Sequence, residues 1–407
     1  MQSMQGASLM EVGARSTFPR HRPGVRSLTF CIALLFLAAA ESRGAAPAKP
    51  AVDLLSPDAA AALMKKVNAW QLANPYCGVP EELASNNDTW IRATWYTGVM
   101  AAYGATGDEG YLEQALRWSR MHEWKPAPES DGGANLLTCT QTYLELYFIK
   151  KDRAFIAPTI AWLDSGSPHT PTGAKVWYLD GGGVYADSLY VGAPALAMLG
   201  NATGDGRYVG WMNAFFWDIY DKIFDPPSGL FYRDARFIGK RDENGRKIIW
   251  ARANGWVLAS LPRILTYLPA GDPDRGRYEA LFRRMCAAIA ERQQPDGLWR
   301  TNLDDAAEFP MPETSSTGFF CYGMAWGIRQ GLLDRASFRP VVERAWIGLT
   351  GCVSPEGKVQ WGQGPADQPE SVKQEETQEY VAGAFLLAGS EIIRLSESGA
   401  PLGGKAR

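Results

Sequence analysis

A short motif, Asp followed a few residues later by Tyr or Phe, recurs where one helix-like segment gives way to the next. Asp is a favourable N-cap because its carboxylate accepts the free N–H groups of the first helical turn. The aromatic residue then falls on the first turn that faces inward. The copies are Asp108 and Tyr111, Asp152 and Phe155, Asp205 and Tyr208, Asp274 and Tyr278, and Asp334 and Phe338.

The segments on the two sides of this motif differ in composition. Residues 89–108, before one copy, are rich in small and aromatic residues, whereas residues 109–124, after it, are charged with apolar residues at i, i+3, i+4 and i+7. The first pattern is typical of enclosed helices and the second of helices that face water, so their alternation predicts two layers. About twelve such segments favour an all-α fold, an (α/α)6 barrel of six helical hairpins, with an open helical array as the alternative.

The sequence predicts little β-structure, confined to short strands in loops. Alternating apolar residues favour a strand at residues 230–238 that pairs with residues 247–250 around the turn at 242–245. Further short strands are predicted near residues 298–301 and 358–361.

Residues 1–46 have the pattern of a signal peptide. Several Arg residues precede an apolar run at residues 27–40, which is too short for a good membrane span, and small residues follow near Ala46. An uncleaved amphipathic anchor is the alternative. We therefore expect a periplasmic or secreted protein in which residues 47–407 form a single catalytic domain with no membrane association after cleavage.

Charge and histidine content exclude several classes of function. Removal of residues 1–46 takes away five Arg and two Glu and changes the formal net charge from −3 to −6, so nucleic acid is not an expected partner. Only His122 and His169 remain beyond that segment, without a metal-binding or nucleophile-elbow motif. No metal or cofactor is predicted. Carboxylates are the expected acid–base groups, and the aromatic residues, 12% of the chain, are the expected binding surface.

The cysteines do not form a disulfide framework. Five of them follow residue 46, an odd number, and none belongs to a CxxC motif. Cys139, Cys286 and Cys321 lie within helical patterns, so they are predicted to be buried as apolar residues.

The first candidate site segment, residues 181–190, runs from three glycines into a very apolar helix that Asp187 opens. Asp187 could be a helix cap. The functional interpretation is a carboxyl group among Tyr185, Tyr190 and other aromatic residues, where apolar surroundings favour the protonated form that a general acid needs.

Two further segments carry polar groups at predicted helix starts. In residues 250–256, Arg252 could bind a carboxylate and the two Trp residues could stack on sugar rings, or Arg252 could pair with a barrel Asp. In residues 313–318, the hydroxyl groups could cap the helix or bind substrate. Arg233 is a second cation candidate, with a strand-surface ion pair as the alternative.

These motifs resemble glycoside hydrolase family 105, the unsaturated rhamnogalacturonyl hydrolases, which is related to the unsaturated glucuronyl hydrolases of family 88. Residues 250–263 (WARANGWVLASLPR) are similar to the family segment W-A-R-G-N-G-W, and residues 313–320 (ETSSTGFF) to E-T-S-G-T-A. Residues 186–194 are similar to the segment around the family's catalytic Asp. The resemblance extends from about Asp88 to Leu395 and implies the same (α/α)6 fold.

The resemblance implies an oligosaccharide substrate left by a polysaccharide lyase, with a 4,5-unsaturated uronic acid at its non-reducing end. The family hydrates the C4=C5 enol ether, and the hemiketal formed then opens. Asp187 corresponds to the catalytic acid/base. The implied substrate-binding residues are Tyr96, Asn135, Tyr185, Arg233, Trp250, Arg252, Asn254, Trp256, Thr314 and Ser315.

Two positions depart from the family pattern. Tyr185 stands where the family often has Trp, and Asn135 stands where it has a second Asp. Asn135 can neither act as a base nor repel the charge of Asp187, so either Asp131 or Asp88 compensates or the activity has diverged. The alternatives are therefore another (α/α)6 carbohydrate enzyme, an inverting glycosidase or a lyase, and a binding protein without turnover.

Overall fold

The helices of the computed structural model, which describes residues 53–75, 88–128, 133–165 and 184–398, form two concentric layers. The inner helices are α2 (Trp90–Thr106), α4 (Thr138–Lys150), α7 (Ala193–Thr203), α9 (Ala251–Tyr267), α11 (Thr314–Arg329) and α13 (Glu379–Glu397). The outer helices are α1 (Pro57–Ala73), α3 (Glu109–Met121), α5 (Ala157–Asp164), α8 (Gly206–Ile223), α10 (Arg275–Ala290) and α12 (Arg335–Gly351). A short helix, α6 (Ser188–Val191), leads into α7.

The inner helices close into a ring. Each contacts the next in chain order, and α13 contacts α2. The predicted (α/α)6 barrel is therefore confirmed, and the open array is wrong.

Burial follows the two predicted helix types. Every residue of α9 from Ala251 to Leu265 is buried, because neighbours surround this helix. In α10 the buried residues are Tyr278, Leu281, Phe282, Met285, Cys286 and Ile289, a single face at helical spacing. For these two helices, the spacing of apolar residues matches the layer that each occupies.

Two glycines allow the ring to close tightly between its first and last inner helices. A Cβ atom at Gly98 of α2 would lie 2.5 Å from the carbonyl oxygen of Gly383 in α13, and one at Gly383 would lie 2.6 Å from that of Thr94. Any larger side chain would push these two backbones apart.

The recurrent Asp residues act as predicted at four of five turns. The carboxylates of Asp108, Asp152, Asp205 and Asp334 accept backbone N–H groups from the turns that follow. The prediction is wrong for Asp274, whose backbone is already helical (φ −87°, ψ −8°) and whose carboxylate does not bind the first turn of α10.

The predicted strand pairing is also wrong. β2 (Leu230–Phe231) pairs antiparallel with β1 (Phe224–Asp225), not with residues 247–250. The strand ends early because the Asp234 carboxylate caps a 3₁₀ turn at Ala235–Phe237. The other predicted strands form only isolated bridges, including Trp299 with Glu313 and Val353 with Val359.

Several predictions fall outside the described residues. The signal peptide, Cys77, Asp131 and His169 are among them, so the domain boundary at residue 46 and the localisation stay predictions. Within the described ranges, no helix is both long and apolar enough to span a membrane. The four cysteines of these ranges, Cys139, Cys286, Cys321 and Cys352, are buried, and no disulfide joins any two of them.

Candidate active site

A cavity of about 200 Å³ opens where the starts of the inner helices meet. Trp90 begins α2, and Arg252 and Trp256 lie in the first turns of α9. Asp187 precedes the short α6, and Val191 is the last residue of α6. The remaining lining residues are Asn135, Tyr185, Arg233 and Ala366. Six of the predicted site residues therefore share one cavity.

Asp187 is the carboxylate of this cavity. Its backbone is helical (φ −56°, ψ −32°), and its side chain does not cap α6, so the structure does not support the interpretation of this residue as a cap. Oδ2 is buried without a hydrogen-bond partner, and it lies 3.5 Å from Nε of Arg233. The acid is thus held beside a cation without being hydrogen-bonded to it.

Burial raises the pKa of the Asp187 carboxyl above its usual value, while the guanidinium groups of Arg233 and Arg252 offset only part of that effect. A carboxyl group with a raised pKa keeps its proton closer to neutral pH. Asp187 therefore has the character that a general acid requires.

Arg252 is a buried cation held by main-chain oxygens. Its Nη1 and Nη2 atoms donate to the carbonyl oxygens of Gln363 and Gly364 at 2.7 and 2.8 Å. Its guanidinium also lies over the Trp250 and Tyr380 rings, at 4.4 and 5.2 Å. No carboxylate of the described residues forms an ion pair with Arg252. The alternative, in which Arg252 pairs with an Asp of the barrel, therefore has no support among these residues.

Arg233 reaches the cavity from the chain just after β2. Its Nη1 atom donates to Oδ2 of Asp234 at 2.8 Å, and its guanidinium lies 5.1 Å from the centre of the Tyr185 ring. The side chain is 12% exposed, which places it inside the site rather than on a strand surface.

Aromatic rings form one wall of the cavity. Trp256 is 1% exposed and packs against Phe319 and Tyr190, with ring centres 4.6 and 5.1 Å away. The edge of Trp90 meets Trp256 at 6.0 Å. Trp90 is not among the site residues predicted from the sequence, although its place at the start of the first inner helix is a usable signal.

Three other predicted site residues lie outside the cavity lining, packed or bonded within the protein. Tyr96 stacks on Trp118 at 4.0 Å. Trp250 donates from Nε1 to Oε1 of Gln363, at 2.8 Å. Asn254 holds β2, because its side chain accepts from the N–H of Phe231 and donates to its carbonyl oxygen.

Thr314 and Ser315 also lie outside the lining. The Thr314 hydroxyl donates to the carbonyl oxygen of Gln360, and that of Ser315 donates to Oε1 of Glu313. Glu313 itself caps α11 by accepting the N–H groups of Ser315 and Ser316. The helix cap is thus the glutamate, and a substrate contact for either hydroxyl stays a prediction.

The comparison with known proteins matches this architecture. The family model described as Glycosyl Hydrolase Family 88 matches residues 63–396. The chain belongs to this family. It is 31% identical over 326 residues to an unsaturated 3S-rhamnoglycuronyl hydrolase of Alteromonas sp. (strain LOR), which covers 76% of this chain and 78% of the relative.

Solved structures of similar chains have the same fold. A glycosyl hydrolase family 88 protein from Bacteroides vulgatus is 28% identical, with a TM-score of 0.75, and the match covers 84% of this chain and 99% of that one. A protein named as a polysaccharide lyase is 32% identical, with a TM-score of 0.74 over 84% and 98% of the two chains. The predicted resemblance to families 88 and 105 is confirmed, and this family 88 member is a glycosidase.

Proposed function

We propose that this family 88 glycosidase removes a 4,5-unsaturated uronic acid from the non-reducing end of an oligosaccharide by hydrating its C4=C5 bond. The observation that carries the proposal is the Asp187 carboxyl, whose burial raises its pKa and whose Oδ2 atom has no hydrogen-bond partner inside an aromatic cavity. Membership of the family supports the same substrate class.

In the proposed reaction, the Asp187 carboxyl donates its proton to C4 of the enol ether, and a water molecule adds to C5. The Asp187 carboxylate then takes a proton from that water, which restores the acid. The hemiketal at C5 opens and releases the remaining sugar. Arg252 and Arg233 supply positive charge for the uronate carboxylate, and Trp256 and Trp90 supply apolar faces for the ring.

The composition of the cavity favours hydration over an inverting displacement. Asp187 is the one carboxylate among the described residues that line it, and Asn135 occupies another lining position. Inversion requires a second carboxylate at roughly 6.5–9.5 Å. Hydration needs only one acid/base group, so the replacement of Asp by Asn at position 135 is compatible with turnover.

The name of the Alteromonas relative, unsaturated 3S-rhamnoglycuronyl hydrolase, supports a narrower substrate, an unsaturated 3S-rhamnoglycuronyl oligosaccharide. The name of the lyase-like structure favours a second candidate, β-elimination, which forms a C4=C5 bond instead of consuming one. The two reactions change the ultraviolet absorbance of the conjugated double bond in opposite directions.

We expect the wild type to remove this absorbance from lyase-generated disaccharides and Asp187→Asn to be slower by about 10²–10⁴-fold. Asp225→Asn is the matched control, because Asp225 pairs with Lys247 outside the cavity and is no more than partly exposed. Full activity in Asp187→Asn would disprove the role of this residue. A rise in absorbance with intact polysaccharide would favour the lyase.

A further inference from the structure

A chain of alternating charges runs from Asp187 to the protein surface. Arg233 lies 3.5 Å from Asp187 and 2.8 Å from Asp234, and Arg236 lies 2.8 Å from Asp234 and 2.6 Å from Asp367. Side-chain exposure is lowest at Asp234, at 5%, and is 55% at Arg236 and 47% at Asp367. Asp234 is therefore the buried centre of the chain.

All the acceptor positions of Asp234 that face these arginines are used. Oδ1 accepts from the backbone N–H and Nε of Arg236, and Oδ2 accepts from Nη2 of Arg236 and Nη1 of Arg233. These hydrogen bonds lower the pKa of Asp234 below its usual value even though burial raises it. Asp234 is thus ionised in the pH range in which Asp187 changes its protonation state.

The orientation of Arg233 follows from this contact. With Nη1 bound to Asp234, its Nε atom faces Asp187 at 3.5 Å, and neither Nε nor Oδ2 of Asp187 has a hydrogen-bond partner. The backbone keeps this spacing, because the N–H of Ala186 donates to the carbonyl oxygen of Arg233 at 2.8 Å. A bidentate bond between Arg233 and Asp187 would instead hold Asp187 as the carboxylate.

We propose that Asp234 is a positioning residue for the reaction: it holds the Arg233 guanidinium by Nη1, far enough from Asp187 for Asp187 to remain a proton donor. This inference rests on the proposed function of Asp187. Arg252, at the start of α9, is the other charged group that faces Asp187 from the described elements, and the 3₁₀ helix Gly133–Leu137, which packs against α6, carries no charged side chain.

The test is the pH profile of kcat/KM for Asp234→Asn. Without the charge of Asp234, Arg233 is free to bind Asp187 directly, so the alkaline limb should move to lower pH. At pH values above the shifted alkaline limb, kcat/KM of Asp234→Asn should be roughly 10- to 100-fold lower than that of the wild type. Asp234→Glu keeps the charge and should keep the position of the limb, even where kcat is lower.

Two variants separate this effect from a loss of structure. Asp234→Ser removes the charge but keeps an oxygen that can cap the following turn, and it should shift the limb as Asp234→Asn does. Asp367→Asn removes the exposed end of the chain of charges and should leave the profile unchanged. A limb that stays in place in both Asp234→Asn and Asp234→Ser would overturn the proposal.

A second measurement distinguishes this proposal from the proposed function. Carbon-13 labelling of Asp carboxyl groups follows the titration of Asp187 by NMR, with its signal assigned by its loss in Asp187→Asn. We expect Asp234→Asn to lower the Asp187 pKa in this experiment whether or not the chosen oligosaccharide is consumed. If the wild type is active but the Asp187 pKa is the same in Asp234→Asn as in the wild type, the positioning role alone is rejected. If the wild type is inactive but Asp234→Asn lowers the Asp187 pKa, only the proposed substrate is rejected.

Discussion

The arginines in the cavities at the two ends of the barrel have different partners, although a buried ion pair, Arg92 with Glu379, also lies at the starts of the inner helices. At the ends of the inner helices, a cavity of about 270 Å³ is lined by Arg263, Arg329 and Arg394, together with Glu145 and Glu391. There, Arg263 lies 3.2 Å from Glu145, and Glu391 binds both Arg329 and Arg394 at 2.9 Å. At the starts of the same helices, Arg252 donates hydrogen bonds to carbonyl oxygens and pairs with no carboxylate of the described residues.

This difference separates structural charges from charges kept for a ligand. Positive groups at helix C-termini complement the helix dipole, and glutamates then balance them, so the closed network has little charge left for a ligand. At the helix starts the dipole favours an anion. Asp234 pairs with Arg233, so Arg252 is the guanidinium of this cavity that no carboxylate of the described residues pairs with. A uronate carboxylate would complete the charge balance there.

The largest effect on stability should come from Glu391, which is 1% exposed and binds two arginines. Glu391→Gln should lower the free energy of unfolding by about 3 kcal/mol, because it leaves partly buried cations without their partner. Urea unfolding measures this change, and kcat/KM per folded molecule should stay as in the wild type.

Glu343→Gln is the control, since its pair with Arg339 is an exposed i,i+4 contact on α12 and should cost little. A large loss of kcat/KM in folded Glu391→Gln would mean that the end network acts on the site, and the distinction between the two ends would fail.

The architecture could be predicted from the sequence because helical periodicity and helix caps depend on residues that are close together in the chain. The same reasoning located Asp187, Arg252 and Trp256, since it identified helix starts. It did not show which side chains already have protein partners. Asn254 bonds to Phe231, 23 positions away, and Thr314 to Gln360, 46 positions away. Only the closed ring brings such partners together, so spacing alone overcounts the residues available to substrate.

The next effect concerns Arg252. Lys keeps the charge, but a single ammonium cannot donate to the carbonyl oxygens of Gln363 and Gly364 in the same planar geometry. We expect Arg252→Lys to lower kcat/KM for the unsaturated disaccharide by about 10- to 100-fold. Arg263→Lys, in the opposite cavity, should lower the melting temperature and leave kcat/KM unchanged. Equal behaviour of the two variants would assign Arg252 to the structural arginines.

The smallest effect is the stability cost of the Asp187 carboxyl, the proposed acid/base. The pKa of Asp187 is raised on folding, mainly by burial, so its charged form is disfavoured in the folded state. Below the usual Asp pKa of about 3.9 both states are protonated and there is no penalty; stability is lost as pH rises through the folded-state pKa. Asp187→Asn should therefore match the wild type in acid and exceed its melting temperature at neutral pH, by up to about 2 °C.

Asp225→Asn should change the melting temperature at neutral pH in the opposite direction. Burial raises the pKa of Asp225, but hydrogen bonds from Lys247 and Ser228 bring this pKa below its usual value. Its contribution to stability is present above the unfolded-state pKa and is lost on acidification, so Asp225→Asn should melt below the wild type at neutral pH and approach it in acid. If Asp187→Asn also melted lower at neutral pH, the contact with Arg233 would be a stabilising pair like those at the other end. The carboxyl group would then be held ionised, which is the state that a proton donor must avoid.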